Sequence, residues 1–182
     1  MDHEEEEERS LRVSKAIVAG LAGALTTAWV LTGLRAFGVT SMNLELMLGS
    51  MMTARIDRIS WILGLAMHLG AGMVLGILYA LVMELLGRSG WLVGYLISCV
   101  HAIISGLLMP FTWGFHPLVR SGRMASPGAF ASSLGLGAVI LYVMQHLVFG
   151  LVVGSMYAVA GKPDPVSLRT SPRRRPSALH RI

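Results

Sequence analysis

The sequence predicts an all-α membrane protein, a four-helix transmembrane bundle formed by two repeated helical hairpins. Two observations predict this fold: long apolar runs in a weakly charged chain, and a motif that occurs twice. Of the 182 residues, 54% are hydrophobic and only 14% are charged, against about 25% charged residues in ordinary soluble domains. The mean hydropathy is +0.64. We therefore expect the lipid bilayer to be the main partner of this chain.

Four apolar runs are long enough to cross a bilayer as helices, since a hydrocarbon core of about 30 Å requires about 20 residues. They occupy residues 16–37, 61–85, 91–111 and 134–160. The first run is too long for the apolar part of a signal peptide, so we expect it to be retained as a span. The chain then divides into an N-terminal tail (1–15), a membrane domain (16–161) and a disordered basic tail (162–182).

One motif occurs in both the second and the fourth run, which predicts an internal duplication. Its spacing places a histidine, two glycines and a tyrosine on one helical face. The glycine pairs let helix backbones approach closely. The copies read His68-Leu69-x-x-Gly72-x-x-x-Gly76-x-x-Tyr79-Ala80 and His146-Leu147-x-x-Gly150-x-x-x-Gly154-x-x-Tyr157-Ala158.

The first and third runs repeat more faintly. Gly20, Ala24 and Thr27 align with Gly94, Ser98 and His101 at the same spacing. Together the matches predict two hairpins of the same orientation, related by an axis along the membrane normal, as a 2+2 parallel repeat. Gly72, Gly76, Gly150, Gly154, Thr27 and Ser98 are the expected helix-packing positions.

Basic residues predict the orientation in the membrane. Most of the 15 Lys and Arg residues lie in the N-terminal tail, in the turn at 86–90 and in the tail after Gly161. This bias places both termini in the cytoplasm. The arginine cluster at 173–175 is explained by contact with anionic lipid, so we expect no nucleic-acid partner.

Three histidines, His68, His101 and His146, fall near the middle of their spans and form the candidate site. Ionisable residues in the membrane indicate a functional site by default. A neutral imidazole either hydrogen-bonds a neighbouring helix or binds a metal or haem iron. The three histidines are candidate ligands for zinc or copper, and two of them for haem. No Asp or Glu lies near the middle of the spans to pair with them, and Glu45, Asp57 and Glu84 are expected near the interfaces, on solvated surfaces.

Two outer loops add further expectations. The stretch from Met42 to Met52 is apolar enough for a short interfacial helix, and its methionines are either flexible packing residues or soft ligands for Cu(I). In the second loop, Pro110 is expected to end the third span. His116 follows it and is expected near water, as an additional outer metal ligand or without a role.

The segments MNLELMLGSM, MHLGAGMVLGILYAL, MPFTWGFHPL and QHLVFGLVVGSMYA resemble a family of uncharacterised small bacterial four-span membrane proteins. The resemblance covers residues 16–161 and implies a location in the bacterial inner membrane. It implies no catalytic residue and no cofactor.

The residues themselves favour a non-enzymatic function. The sequence has no paired carboxylates, no nucleophile elbow, no phosphate-binding glycine loop and no HExxH zinc motif. We expect a structural or accessory subunit of a membrane assembly or homo-oligomer. The alternatives are metal handling or electron transfer at the histidine cluster, and a small transporter.

Overall fold

The computed structural model describes the backbone of residues 3–157 and the side chains of residues 12–157. The helices are α1 (His3–Ala36), α2 (Leu44–Thr53), α3 (Arg58–Leu86), α4 (Trp91–Gly114), α5 (Pro117–Arg120) and α6 (Leu136–Met156), with a 3₁₀-helix (Ala129–Leu134) before α6. By length and composition, α1, α3, α4 and α6 are able to cross a membrane. The all-helical class and the four candidate spans are confirmed for this part of the chain.

Some helix boundaries differ from the predicted ones. Helix α1 begins at His3, so its first turns include residues predicted as a tail; glutamate is a good helix former. Helix α4 continues through Pro110 to Gly114, so the predicted stop at Pro110 is wrong. Proline has no backbone N–H, so Pro110 removes one hydrogen bond from the helix. Beyond it, Trp113 is buried in the bundle and stacks on His116, and this packing helps to offset the loss. The predicted disordered tail lies outside the described residues.

The N-terminal end of α3 is fixed by a side-chain cap. Asp57 is the N-cap, and its carboxylate accepts hydrogen bonds from the backbone N–H and the hydroxyl of Ser60. These two bonds hold the pKa of Asp57 below its usual value. The C-terminal end stops at Gly87, which adopts the left-handed conformation that glycine tolerates best.

Glycines let two pairs of helices pack backbone to backbone. In the α1–α3 pair, a Cβ at Gly20 would overlap the carbonyl oxygen of Gly72 and approach Gly76. In the α4–α6 pair, a Cβ at Gly94 would meet Gly150 and Gly154 in the same way. All four glycines predicted as packing positions therefore lie at close helix contacts.

The two helix pairs contact each other unevenly. Helices α1 and α6 pack along one another, where Gly23 of α1 faces the side chains of Phe149 and Val153. Helices α3 and α4 follow one another in the chain but make few contacts. This looser side of the bundle leaves room for a cavity, described below.

Helix α2 folds against the N-terminal half of α3. Gly49 of α2 and Gly64 of α3 lie in contact, and a Cβ at either position would overlap a carbonyl oxygen of the other helix. This approach brings the side chain of Glu45, one turn before Gly49, toward the bundle. The helix predicted at Met42 to Met52 is thus present, as Leu44–Thr53, and it packs on the N-terminal part of α3.

Two glycines of α3 test the close packing. Gly76→Ala is expected to lower the free energy of unfolding by about 1–3 kcal/mol, as overpacking does, because the new Cβ would meet the carbonyl oxygen of Ala16. Gly70 has open space around its Cα, so Gly70→Ala is the matched control. It is expected to leave stability unchanged or raise it by up to about 1 kcal/mol. Unfolding in detergent micelles, followed by circular dichroism, measures both; equal effects would contradict the packing.

Candidate functional site

His101 of α4 and His146 of α6 lie side by side in the core of the bundle. Their ring centroids are 4.8 Å apart, with an angle of 72° between the ring planes. Nδ1 of His101 lies 3.1 Å from the hydroxyl of Tyr79 on α3. The hydrogen bond between Tyr79 and His101 joins the α1–α3 pair to the α4–α6 pair.

His146 is held by two polar groups. Its Nδ1 lies 2.8 Å from the carbonyl oxygen of Tyr142, which only accepts, so Nδ1 carries the proton. Its Nε2 lies 3.1 Å from the hydroxyl of Ser105 on α4. The hydroxyl of Tyr142 is 2.5 Å from the same Ser105 oxygen and also reaches the carbonyl of Ala102. These bonds fix the tautomer of His146 and tie α6 to α4.

His68 of α3 has two different neighbours. Its Nε2 lies 3.3 Å from the hydroxyl of Thr27 on α1, and its Nδ1 lies 3.8 Å from a carboxylate oxygen of Glu45. The hydroxyl of Thr27 also donates to the carbonyl of Ala24. Thr27 therefore lies at the α1–α3 contact, as expected for a packing residue.

The expectation that the histidines have no carboxylate nearby, and that Glu45 is solvated, is wrong. Glu45 is 0% exposed and forms an ion pair with Arg35 at 3.0 Å. The sequence places Glu45 in a loop between spans, and only the packing of α2 on α3 brings it beside His68. The small residues Gly49 and Gly64 are the sequence feature that allows α2 to pack closely on α3. They do not belong to the repeated motif, so the sequence analysis does not pair them.

The expectation that His116 lies near water is also wrong, since it is 0% exposed. Its Nδ1 accepts a hydrogen bond from the backbone N–H of Leu118, and its Nε2 lies 3.0 Å from the carbonyl oxygen of Met47 and 3.2 Å from the hydroxyl of Ser50. Both ring nitrogens are therefore occupied. His116 connects the second outer loop to α2, and no lone pair is left for a metal ion.

Ser98 of α4 lies at the α4–α6 contact, as expected for a packing position. Its side chain faces Gly150, and its hydroxyl donates to the carbonyl of Tyr95 at 2.7 Å. The hydroxyl of Ser98 thus finds its hydrogen-bond acceptor within α4, and its small side chain allows α6 to approach α4 closely.

A cavity of about 240 Å³ lies between the helix pairs. All four long helices contribute to its wall, together with α2 and the second outer loop. His68, His101 and His146 all line it, so the structure brings the three predicted histidines around one space. The other polar residues of its wall include Thr27, Tyr142 and Gln145, and three thioethers come from Met42, Met47 and Met109.

Metal binding by the three histidines would require their side chains to rearrange. Within residues 12–157, no group of three His, Cys, Asp or Glu side chains is arranged to hold a metal ion. His146 already donates through Nδ1 and meets a hydroxyl at Nε2. The cavity is also below the range of about 300–1,000 Å³ for pockets that take drug-sized ligands, so it does not accommodate a haem as it stands.

Three buried polar atoms have no hydrogen-bond partner in the described part of the chain: Oε1 of Glu45, Nδ1 of His68 and Nε2 of Gln145. An unsatisfied buried polar group costs about 1–3 kcal/mol. The first two face each other at 3.8 Å, which is too long for a direct hydrogen bond. Gln145 was not singled out from the sequence, although it is a polar residue within an apolar run next to His146.

Comparison of the chain with protein-family models, with curated proteins and with solved structures finds no match.

The burial of Glu45 can be tested by comparing the loss of its ion pair with Arg35 to the loss of the exposed Arg55–Asp57 pair. Arg35→Ala leaves the carboxylate of Glu45 buried without its cation and is expected to lower the free energy of unfolding by about 3–5 kcal/mol. Arg55 pairs with Asp57 at 3.0 Å with 73% of its side chain exposed, so Arg55→Ala is the control, at about 1 kcal/mol or less. Urea or detergent denaturation at neutral pH measures both. A loss at Arg35 no larger than that at Arg55 would show that Glu45 is solvated.

Proposed function

We propose that this chain is a non-enzymatic, multi-pass protein of the bacterial inner membrane that acts as a structural or accessory subunit. The observation that supports this proposal is the hydrogen bonding of the histidines. His68, His101 and His146 each contact a hydroxyl of a different helix, from Thr27, Tyr79 and Ser105 respectively. Polar side chains used in this way hold membrane helices together.

The proposal includes an internal duplication of a two-span hairpin. The matched contacts of the two helix pairs support it: Gly20 meets Gly72 and Gly76, while Gly94 meets Gly150 and Gly154. These are the positions that the sequence repeat aligns. The tyrosines of the repeated motif also play comparable parts, because Tyr79 contacts His101 on the other helix pair and Tyr157 donates to Glu84 on the other pair at 2.7 Å.

If the histidines serve helix packing, the contact between Tyr79 and His101 contributes a coupling energy. Tyr79→Phe, His101→Leu and the double variant form a cycle that isolates it. We expect a coupling of about 0.6–1.7 kcal/mol, the range of interhelical hydrogen bonds in membranes, measured by reversible unfolding in micelles. The control cycle combines His116→Leu with Tyr79→Phe, and the changes in unfolding free energy of these two substitutions are expected to add. Additive effects in the Tyr79–His101 cycle would contradict a packing role for His101.

The proposed orientation places both termini and the turn at 86–90 in the cytoplasm. In a Cys99→Ser background, Arg88→Cys and Ser121→Cys place single exposed thiols at opposite ends of the bundle. On intact spheroplasts, a membrane-impermeant maleimide is expected to label Ser121→Cys only, and to label Arg88→Cys after permeabilisation. The reverse labelling pattern would show that the termini lie outside the cytoplasm and would contradict the proposed orientation.

A second candidate function is the handling of Cu(I), which thioether and imidazole ligands favour. The observation behind it is that Met42, Met47 and Met109 line the same cavity as the three histidines. Elemental analysis of the purified protein after equilibration with Cu(I) tests this candidate. Stoichiometric copper that is lost in both His101→Leu and Met109→Leu would favour it over the packing role.

A further inference from the structure

The wall of the cavity is mostly apolar and carries no formal charge in its described residues. No Asp, Glu, Lys or Arg is among the residues that line it. The nearby Arg35 and Glu45 neutralise each other in an ion pair. A charged ligand would have to lose its hydration without a counter-charge, which is strongly unfavourable. The wall therefore favours an uncharged ligand.

The size of the cavity limits that ligand to about one ring with short substituents. An engineered cavity of about 150 Å³ is known to bind benzene, and the cavity here is about 240 Å³. Aromatic and flexible side chains, including Phe149, Trp113 and Met109, line it. Such side chains pack well against a flat apolar molecule.

Gln145 provides the cavity with a hydrogen-bonding group that lacks a partner. The residue is 8% exposed and lines the cavity, and its side-chain Nε2 has no hydrogen-bond partner among residues 12–157. A primary amide carries two donors and one acceptor, and rotation of its terminal group presents either side to the cavity. Because buried amides normally have partners, an occupant with an oxygen atom would supply the missing one.

We propose that the cavity is a binding site for a small, uncharged ring compound with a carbonyl or hydroxyl oxygen, which hydrogen-bonds the amide of Gln145. The apolar wall takes the ring, and the amide selects for the oxygen. This site is independent of the packing role of the histidines, since helix packing does not require the cavity to be occupied.

Acetophenone and α-methylstyrene test the proposal directly, because they have nearly the same shape and differ by a ketone oxygen against a CH₂ group. Ligand-observed NMR on the full-length protein in micelles measures both, with empty micelles as the reference for partitioning. The wild type is expected to bind acetophenone about tenfold more tightly, the gain from one hydrogen bond to a buried group. Equal affinities, or no saturable binding of either compound, would overturn the proposal.

Two variants locate the binding. Gln145→Leu is expected to abolish the preference for the ketone while it still binds α-methylstyrene, because the apolar wall is intact. Leu75→Trp places a large ring in the cavity and is expected to block both compounds. If Leu75→Trp does not fold, Gln145→Leu decides alone. A ketone preference that persists in Gln145→Leu would show that the oxygen is bound elsewhere and would overturn the assignment.

Discussion

A membrane interior offers no water to hydrogen-bond a polar group, so a polar group there is stabilised when it finds its partner within the protein. This constraint explains the polar core of the bundle. Three imidazoles, three hydroxyls and an ion pair are distributed over five helices, α1, α2, α3, α4 and α6, and meet between them. Moving any helix away would leave its polar groups in lipid. The polar contacts thus fix which helices are neighbours, while glycine contacts fix how close they come.

The same two kinds of contact also explain the cavity. Glycines close the α1–α3 and α4–α6 pairs, and α1 packs on α6, but α3 and α4 have no comparable glycine contact. Among the described residues, Tyr79 alone spans that side with a side-chain hydrogen bond, to His101. The cavity lies where the bundle lacks its fourth close contact. Helix α2 lines one end of the cavity and is itself anchored by Glu45 to Arg35 and by Ser50 to His116.

Local patterns in the sequence predicted the spans, the glycine contacts and the grouping of the three histidines, because each depends on helical spacing within one apolar run. The burial of Glu45 and His116 was not predictable in this way, since it depends on how loops fold over the bundle. The cavity and Gln145 were missed for another reason. Apolar residues that face lipid and those that face the protein interior look alike in sequence. No sequence pattern therefore indicates that α3 and α4 pack loosely.

The tautomers of the buried histidines test the polar core most directly. Nδ1 of His146 donates to the carbonyl of Tyr142, whereas Nδ1 of His116 accepts from the backbone N–H of Leu118. The two imidazoles must therefore carry their protons on opposite nitrogens. Nitrogen-15 NMR of histidine-labelled protein in bilayers, assigned with single His→Gln variants, distinguishes them. We expect a protonated Nδ1 in His146 and a protonated Nε2 in His116; the same tautomer in both, or a metal-shifted nitrogen in either, would contradict this hydrogen-bond network.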